Sequence, residues 1–227
     1  MKKRAITLAA IGIFGFAFFT LTLLRGSFDQ LNQTVLSFLI QSENDFAVKF
    51  FKVFTFTGNW QFVTAICAVL VFVPKTRFSY GIPASAAAIL SVEIHQILKI
   101  FIGWERPDEA LRLINIGGFS FPSGHALSSY MFVGTLISLL WYYYKHNGQA
   151  LPLYLSHRDD APYIKSKTAN ILVTAALIIY IAAIAFSRIY LRLHWLTDVL
   201  GSWILGFAAT PAVLYIFIEA RPLKDKE

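Results

Sequence analysis

The chain has 227 residues, 56% hydrophobic and 15% charged, with a mean hydropathy of +0.58, a balance that excludes an ordinary soluble globular domain. Its formal net charge of +7 lies in short segments between apolar runs, which fits membrane topology and anionic headgroups and argues against nucleic acid as a partner. The single cysteine, Cys67, sits inside an apolar run, so an intrachain disulfide and a cysteine-based metal site are excluded.

Taken in chain order, Met1 to Arg4 followed by an apolar run has the charge order of a signal peptide. The apolar part is long and no small-residue cleavage site follows it, so it is predicted to be a first membrane helix. Uncharged stretches of about 20 residues, the length that crosses a bilayer core, then recur. Spans are predicted at residues 5–24, 59–74, 78–103, 123–144, 168–187 and 198–218, each satisfying its own backbone as a helix. Residues 27–56 mix apolar side chains with Asp29, Glu43, Asp45, Lys49 and Lys52, which suits one or two amphipathic interfacial helices that can wall a lipid entrance. The expected fold is all-α: a polytopic membrane protein whose residues 1–227 form one domain, six transmembrane helices in one bundle with interfacial helices between the first two. Trp60, Trp104, Trp141 and Trp195 fall near span ends, at headgroup depth.

Lys2, Lys3, Arg4, Lys75, Arg77, the loop 145–167, Arg221, Lys224 and Lys226 fall on one side of that layout, so the positive-inside rule predicts both termini in the cytoplasm. The loops 104–122 and 188–197 then face outward, yet both carry arginines. Those charges need a local reason.

Three clusters supply one. In the first, Lys99 and Arg106 are seven residues apart, nearly two helical turns, and share a face if the helix continues; the bland alternative is a snorkelling lysine and a solvated arginine. The second, Phe121-Pro122-Ser123-Gly124-His125, opens a span with a helix-start proline, a capping-type serine and a glycine that admits a ligand to the backbone, where free amides form an anion site. An ordinary capped helix start reads the same way. In the third, which runs from Ser187 to Asp198, His194 and Asp198 are spaced to stack on one helix face. The carboxylate can then fix one imidazole tautomer and leave the other nitrogen as nucleophile or base; a structural His and Asp pair, with Arg188 facing headgroups, is the alternative. Arg192 has the weaker case of an interfacial charge. Topology brings all three clusters to the same membrane face, gathering Lys99, Arg106, Arg188, the amides near Ser123 and Gly124, His125, His194 and Asp198 around one pocket. A phosphate oxyanion suits that set.

The order K-x6-RP, PSGH, SR-x5-H-x3-D, intact here from Lys99 to Asp198, resembles the three-part signature of the type 2 phosphatidic acid phosphatase superfamily, membrane branch. The chain is most similar to the small bacterial phosphatidylglycerophosphatase B type, whose substrates include phosphatidylglycerol phosphate and undecaprenyl pyrophosphate. The resemblance implies that His194 attacks phosphorus, Asp198 orients it, and His125 protonates the departing lipid oxygen. Lys99, Arg106, Ser123, Gly124 and Arg188 would hold the phosphoryl oxygens, with no metal and no cofactor. Ser123 as nucleophile has no specified base beside it. Binding of zinc or manganese by His125, His194 and Asp198 would duplicate the charge of the three cations. Glu93 and His95 lie within the third span, with His95 on the face of Lys99.

The expected activity is hydrolysis of phosphatidylglycerol phosphate, and also of undecaprenyl pyrophosphate and phosphatidic acid, on the outer face of a bacterial plasma membrane. The partners are the bilayer and a lipid phosphate, with no obligate protein partner. A phospho-headgroup transferase using the same histidine and a non-catalytic lipid-phosphate transporter are the alternatives.

Overall fold

The computed structural model describes residues 2–149, 151 and 161–219, with side chains from residue 5 to 218 within those ranges. The charges of Lys2, Lys3, Arg4, Arg221, Lys224 and Lys226, and much of the loop 145–167, lie outside the described residues or side chains. Among the described residues every regular element is a helix: α1 Lys2–Leu24, α2 Asp29–Gln41, α3 Asp45–Phe54, α4 Trp60–Phe72, α5 Pro74–Thr76, α6 Ile82–Ile102, α7 Gly124–Lys145, α8 Lys167–Tyr190 and α9 Leu196–Glu219.

Five segments are long and apolar enough to cross a bilayer: Ala5–Leu24, Pro74–Ile102, Gly124–Lys145, Lys167–Tyr190 and Leu196–Ile218. These make the chain a multi-pass membrane protein. The span expected at 59–74 has a different form. Helix α4 rises about 20 Å at 1.5 Å per residue, short of the roughly 30 Å core. It reaches span length only together with Asp45–Gly58, to which it is bent by 46°. The bend is a 3₁₀ turn over Thr55–Gly58 followed by Asn59 in extended conformation, where a Gly-Asn pair interrupts the helix. Helix α3, expected to lie with the interfacial helices, is therefore half of a bent unit, and α2 remains the separate amphipathic helix.

Helix α7 is central. Leu127, Met131, Leu139 and Tyr143 are fully buried, and α7 packs against α6, α8 and α9. Between helices in lipid, close approach matters more than apolar burial, and small residues permit it. Gly12 of α1 meets α9 so closely that a Cβ there would lie 2.5 Å from the Cβ of Ala208. This packing brings three joins to one end of the bundle: the bend 55–59, the loop 103–123 between α6 and α7, and the tight connection 191–195 between α8 and α9.

Candidate active site

The first cluster converges by a route other than a shared helix face. Gly103, at φ 64°, ends α6 in the left-handed region, its N–H bonded to Lys99 O at 3.0 Å, a glycine C-cap. Beyond it the loop folds back over the bundle mouth. Lys99 Nζ donates to Phe119 O (2.6 Å) and Arg106 Nε to Gly118 O (2.9 Å). Arg106 Nη1 donates to Leu193 O (2.5 Å) and to His194 Nε2 (3.1 Å).

The third cluster pairs as its spacing suggested, again by a different route. His194 lies in the turn before α9, so the pair is not stacked on one helix. Asp198, in the first turn of α9, reaches back: its Oδ2 accepts from the Trp195 N–H (2.9 Å) and from His194 Nδ1–H (3.0 Å). An acidic residue capping the amide that precedes its own helix is the reciprocal half of a capping box. Because the carboxylate oxygen only accepts, Nδ1 carries the proton and Nε2 keeps its lone pair. Both residues are buried.

The second cluster is held from beneath. The Phe121 ring is fully buried and stacks on Phe16 at 5.7 Å. It also covers Gly201, where a Cβ would lie 2.3 Å from its edge. Pro122 precedes the N-cap and does not occupy the first helical position expected of it. Ser123 is the N-cap residue of α7, yet its side chain makes no capping bond. Its N–H is donated to Asp198 O (3.3 Å), which leaves the amides of the first turn of α7, from Gly124 onward, as the ones without helical acceptors. Gly124 packs against His95, whose Nε2 would lie 2.7 Å from an added Cβ. The glycine thus accommodates a neighbouring ring.

Two polar atoms at this junction stand out. Ser123 Oγ and Arg188 Nε are buried and have no hydrogen-bond partner, in residues that are 0% and 3% exposed. Buried polar atoms are rarely left so, and two donors of this kind suit an anion. Arg188 is otherwise anchored by Nη1 to Thr55 Oγ1 (2.8 Å). Burial, and then the charges of Arg106, Lys99, Arg188 and His125, hold the His194 imidazole well below the usual histidine range. Burial also lowers the pKa of Arg106.

Four contacts had no signal in the sequence. Ser120 donates to Asp198 Oδ2 and sits 3.3 Å from His194 Nδ1. Thr55 anchors Arg188, and Asn59 Oδ1 accepts from His125 Nε2 (2.6 Å). Glu43, at the end of α2, pairs with Arg192, which also donates to Leu111 O at 3.2 Å. Arg192 is buried at φ 58°, and through these bonds it braces the α8–α9 turn. Glu93 is exposed on α6. His95 Nδ1 donates to Ser91 O (2.8 Å), so its ring serves the α6–α7 contact. A mainly apolar groove of about 490 Å³ between α4 and α6, lined by Val63, Cys67, Val71, Ala88 and Val92, ends at His95, Gly124 and His125.

Residues 80–222 match the model of the PAP2 superfamily. The curated relative phosphatidylglycerophosphatase B of Bacillus subtilis (strain 168) is 34% identical over 113 residues, which take in 50% of this chain and 46% of that protein; the match thus spans about half the relative's length. Among solved structures, the transmembrane PAP2-type phosphatidylglycerolphosphate phosphatase from Bacillus subtilis superposes with a TM-score of 0.72 at 20% identity, covering 91% of this chain and 94% of that one. LpxE of Aquifex aeolicus gives 0.57 at 20%, covering 81% and 94%. The two structures share the fold. With the family model matching most of the chain and all three motif clusters meeting at one bundle mouth, this protein belongs to the PAP2 superfamily.

Proposed function

We propose that this protein is a metal-independent lipid phosphatase that removes phosphate from a lipid phosphate or pyrophosphate through a phosphohistidine, at the extracytoplasmic membrane face. The observation that carries the reading is the histidine with a fixed tautomer beside two unpartnered, buried donors, Ser123 Oγ and Arg188 Nε. In the proposed sequence the lipid phosphate docks on Arg188, Ser123, Lys99 and the Gly124 amide. It draws Arg106 off His194 Nε2, because a guanidinium prefers a phosphate to an imidazole lone pair. Nε2 then attacks phosphorus in line, and the P–O bond to the lipid breaks with its electron pair going to oxygen, which His125 protonates. Charge on the equatorial oxygens is met by the cations. Water, giving its proton to His125, attacks the phosphohistidine and releases phosphate.

The groove supports a lipid over a soluble ester: its volume is that of a ligand pocket, it opens along α4 and α6, and it ends at His125. The name of the curated relative supports phosphatidylglycerol phosphate as first substrate, with undecaprenyl pyrophosphate and phosphatidic acid next. Purified protein in detergent with a chelator is expected to release phosphate from these lipids. Filling the groove by Ala88→Trp is expected to lower kcat/KM for the long-chain lipid at least about 10-fold and leave a soluble aryl phosphate within about 3-fold, since the chemistry is untouched. Equal losses on both substrates would contradict this use of the groove. A wild type dependent on added metal would refute metal independence.

A further inference from the structure

The bend between α3 and α4 lies outside residues 80–222 and outside all three motif clusters, yet its side chains reach the pocket. Thr55 anchors Arg188. Gly58 lies flat against His125, with a Cβ there meeting His125 Cδ2 at 3.1 Å and Ile184 Cγ2 at 2.9 Å. Asn59 Oδ1 is 2.6 Å from His125 Nε2.

Asn59 is the N-cap residue of α4, and asparagine there ordinarily bonds a free amide of the first turn. Here it makes no capping bond. Its side chain is turned across to α7, toward a residue 66 positions away. A favourable local use of the side chain is given up for one contact with one imidazole.

We propose that Asn59 is the positioning residue of His125. Its amide oxygen only accepts, so Nε2 carries the hydrogen of that bond and Nδ1 is the nitrogen that gains and gives the catalytic proton. In the imidazolium form, Nδ1–H passes its proton to the departing lipid oxygen as the P–O bond breaks. The neutral ring then takes a proton at Nδ1 from the water that attacks the phosphohistidine. The two histidines are thereby held by opposite nitrogens: Asp198 fixes His194 at Nδ1 and frees Nε2, while Asn59 fixes His125 at Nε2 and frees Nδ1. An uncharged amide suits this role, since His125 must give up its proton in every cycle and a carboxylate would retain it.

This assignment rests on the phosphatase reading and is tested apart from it with two substrates. p-Nitrophenyl phosphate leaves without protonation, whereas a lipid phosphate needs an acid. Asn59→Ala is expected to lower the rate of phosphohistidine formation from the lipid about 30-fold, short of the full general-acid contribution of about 10²- to 10⁴-fold because the imidazole remains, and the burst rate on p-nitrophenyl phosphate by less than about 3-fold. In a His125→Ala background the same change should add nothing, because its effect runs through the imidazole. Asn59→Asp keeps an acceptor but its carboxylate retains the His125 proton, so phosphohistidine formation from the lipid should stay well below that of the wild type. Equal losses on both substrates, additive losses in the double variant, or an undisturbed Asn59→Ala would each overturn the assignment and leave the phosphatase reading standing. A wild type that releases phosphate from neither substrate overturns both.

Discussion

Replacing His194 with alanine is expected to lower phosphate release by at least about 10⁴-fold, the scale on which loss of a nucleophile is felt, with the thermal midpoint and detergent behaviour of the wild type retained. The side chain makes its bonds to Asp198 and Arg106 at the bundle mouth, away from the contact of α7 with its neighbours, so the bundle does not depend on it. Acid-labile, base-stable phosphate should accumulate on the wild type in a rapid quench and be absent from His194→Ala. A well-folded His194→Ala protein with full activity would end the proposed mechanism. The same histidine sets a pH expectation. Burial and then the Arg106, Lys99 and Arg188 charges lower its pKa, and a lowered pKa means that the neutral, attacking form persists as the pH falls past the ordinary value of about 6.5. With p-nitrophenyl phosphate, which leaves without protonation, the burst amplitude and rate should stay flat from about pH 8 to about pH 6. A burst that halves near the ordinary histidine value would show that the imidazole is not held neutral.

Much of this site was legible before any fold was known, for a topological reason. Lys99, His125 and Asp198 lie at ends of predicted spans, and membrane helices must deliver their ends to one face or the other, so charges at three successive ends of one parity are forced together. Local backbone geometry was less legible. The expected shared face of Lys99 and Arg106 assumed a helix that Gly103 ends, and the expected stacking of His194 on Asp198 assumed a helix that starts only at Leu196. Both pairs still meet, because loops can satisfy the same distances. The side chains that brace the site carried no signal. Ser120 contacts Asp198 across 78 residues, Thr55 contacts Arg188 across 133 and Glu43 contacts Arg192 across 149. Each is a common residue at an ordinary turn or helix end. The span predicted at 59–74 starts at Asn59; that its amide faces His125 depends on the 46° bend, a tertiary property.

Asp198→Asn separates charge from geometry at the nucleophile, and kcat is expected to fall about 10³- to 10⁴-fold with little loss of stability. One carboxylate oxygen, Oδ2, takes all three bonds, from Ser120 Oγ, His194 Nδ1 and the Trp195 amide, while Oδ1 is buried without a partner. An asparagine that keeps its oxygen at the Oδ2 position therefore preserves every one of these bonds, and its NH₂ replaces an Oδ1 that is itself without a partner. The start of α9 stays capped, and His194 stays turned toward Arg106. Only the negative charge is lost, and that charge is needed when Nε2 bonds to phosphorus and the imidazole becomes a cation enclosed by Lys99, Arg106 and Arg188. Its loss belongs to the transition state, so kcat should fall while KM changes by less than about 3-fold. Ser120→Ala removes one donor to the same oxygen and leaves the charge, so its effect should be about 10- to 100-fold, the scale of one hydrogen bond to a charged group. Measured side by side on the same lipid, the two variants should rank Asp198→Asn far below Ser120→Ala. Equal losses would mean that Asp198 serves only to hold the turn, and that the imidazolium finds its counter-charge elsewhere.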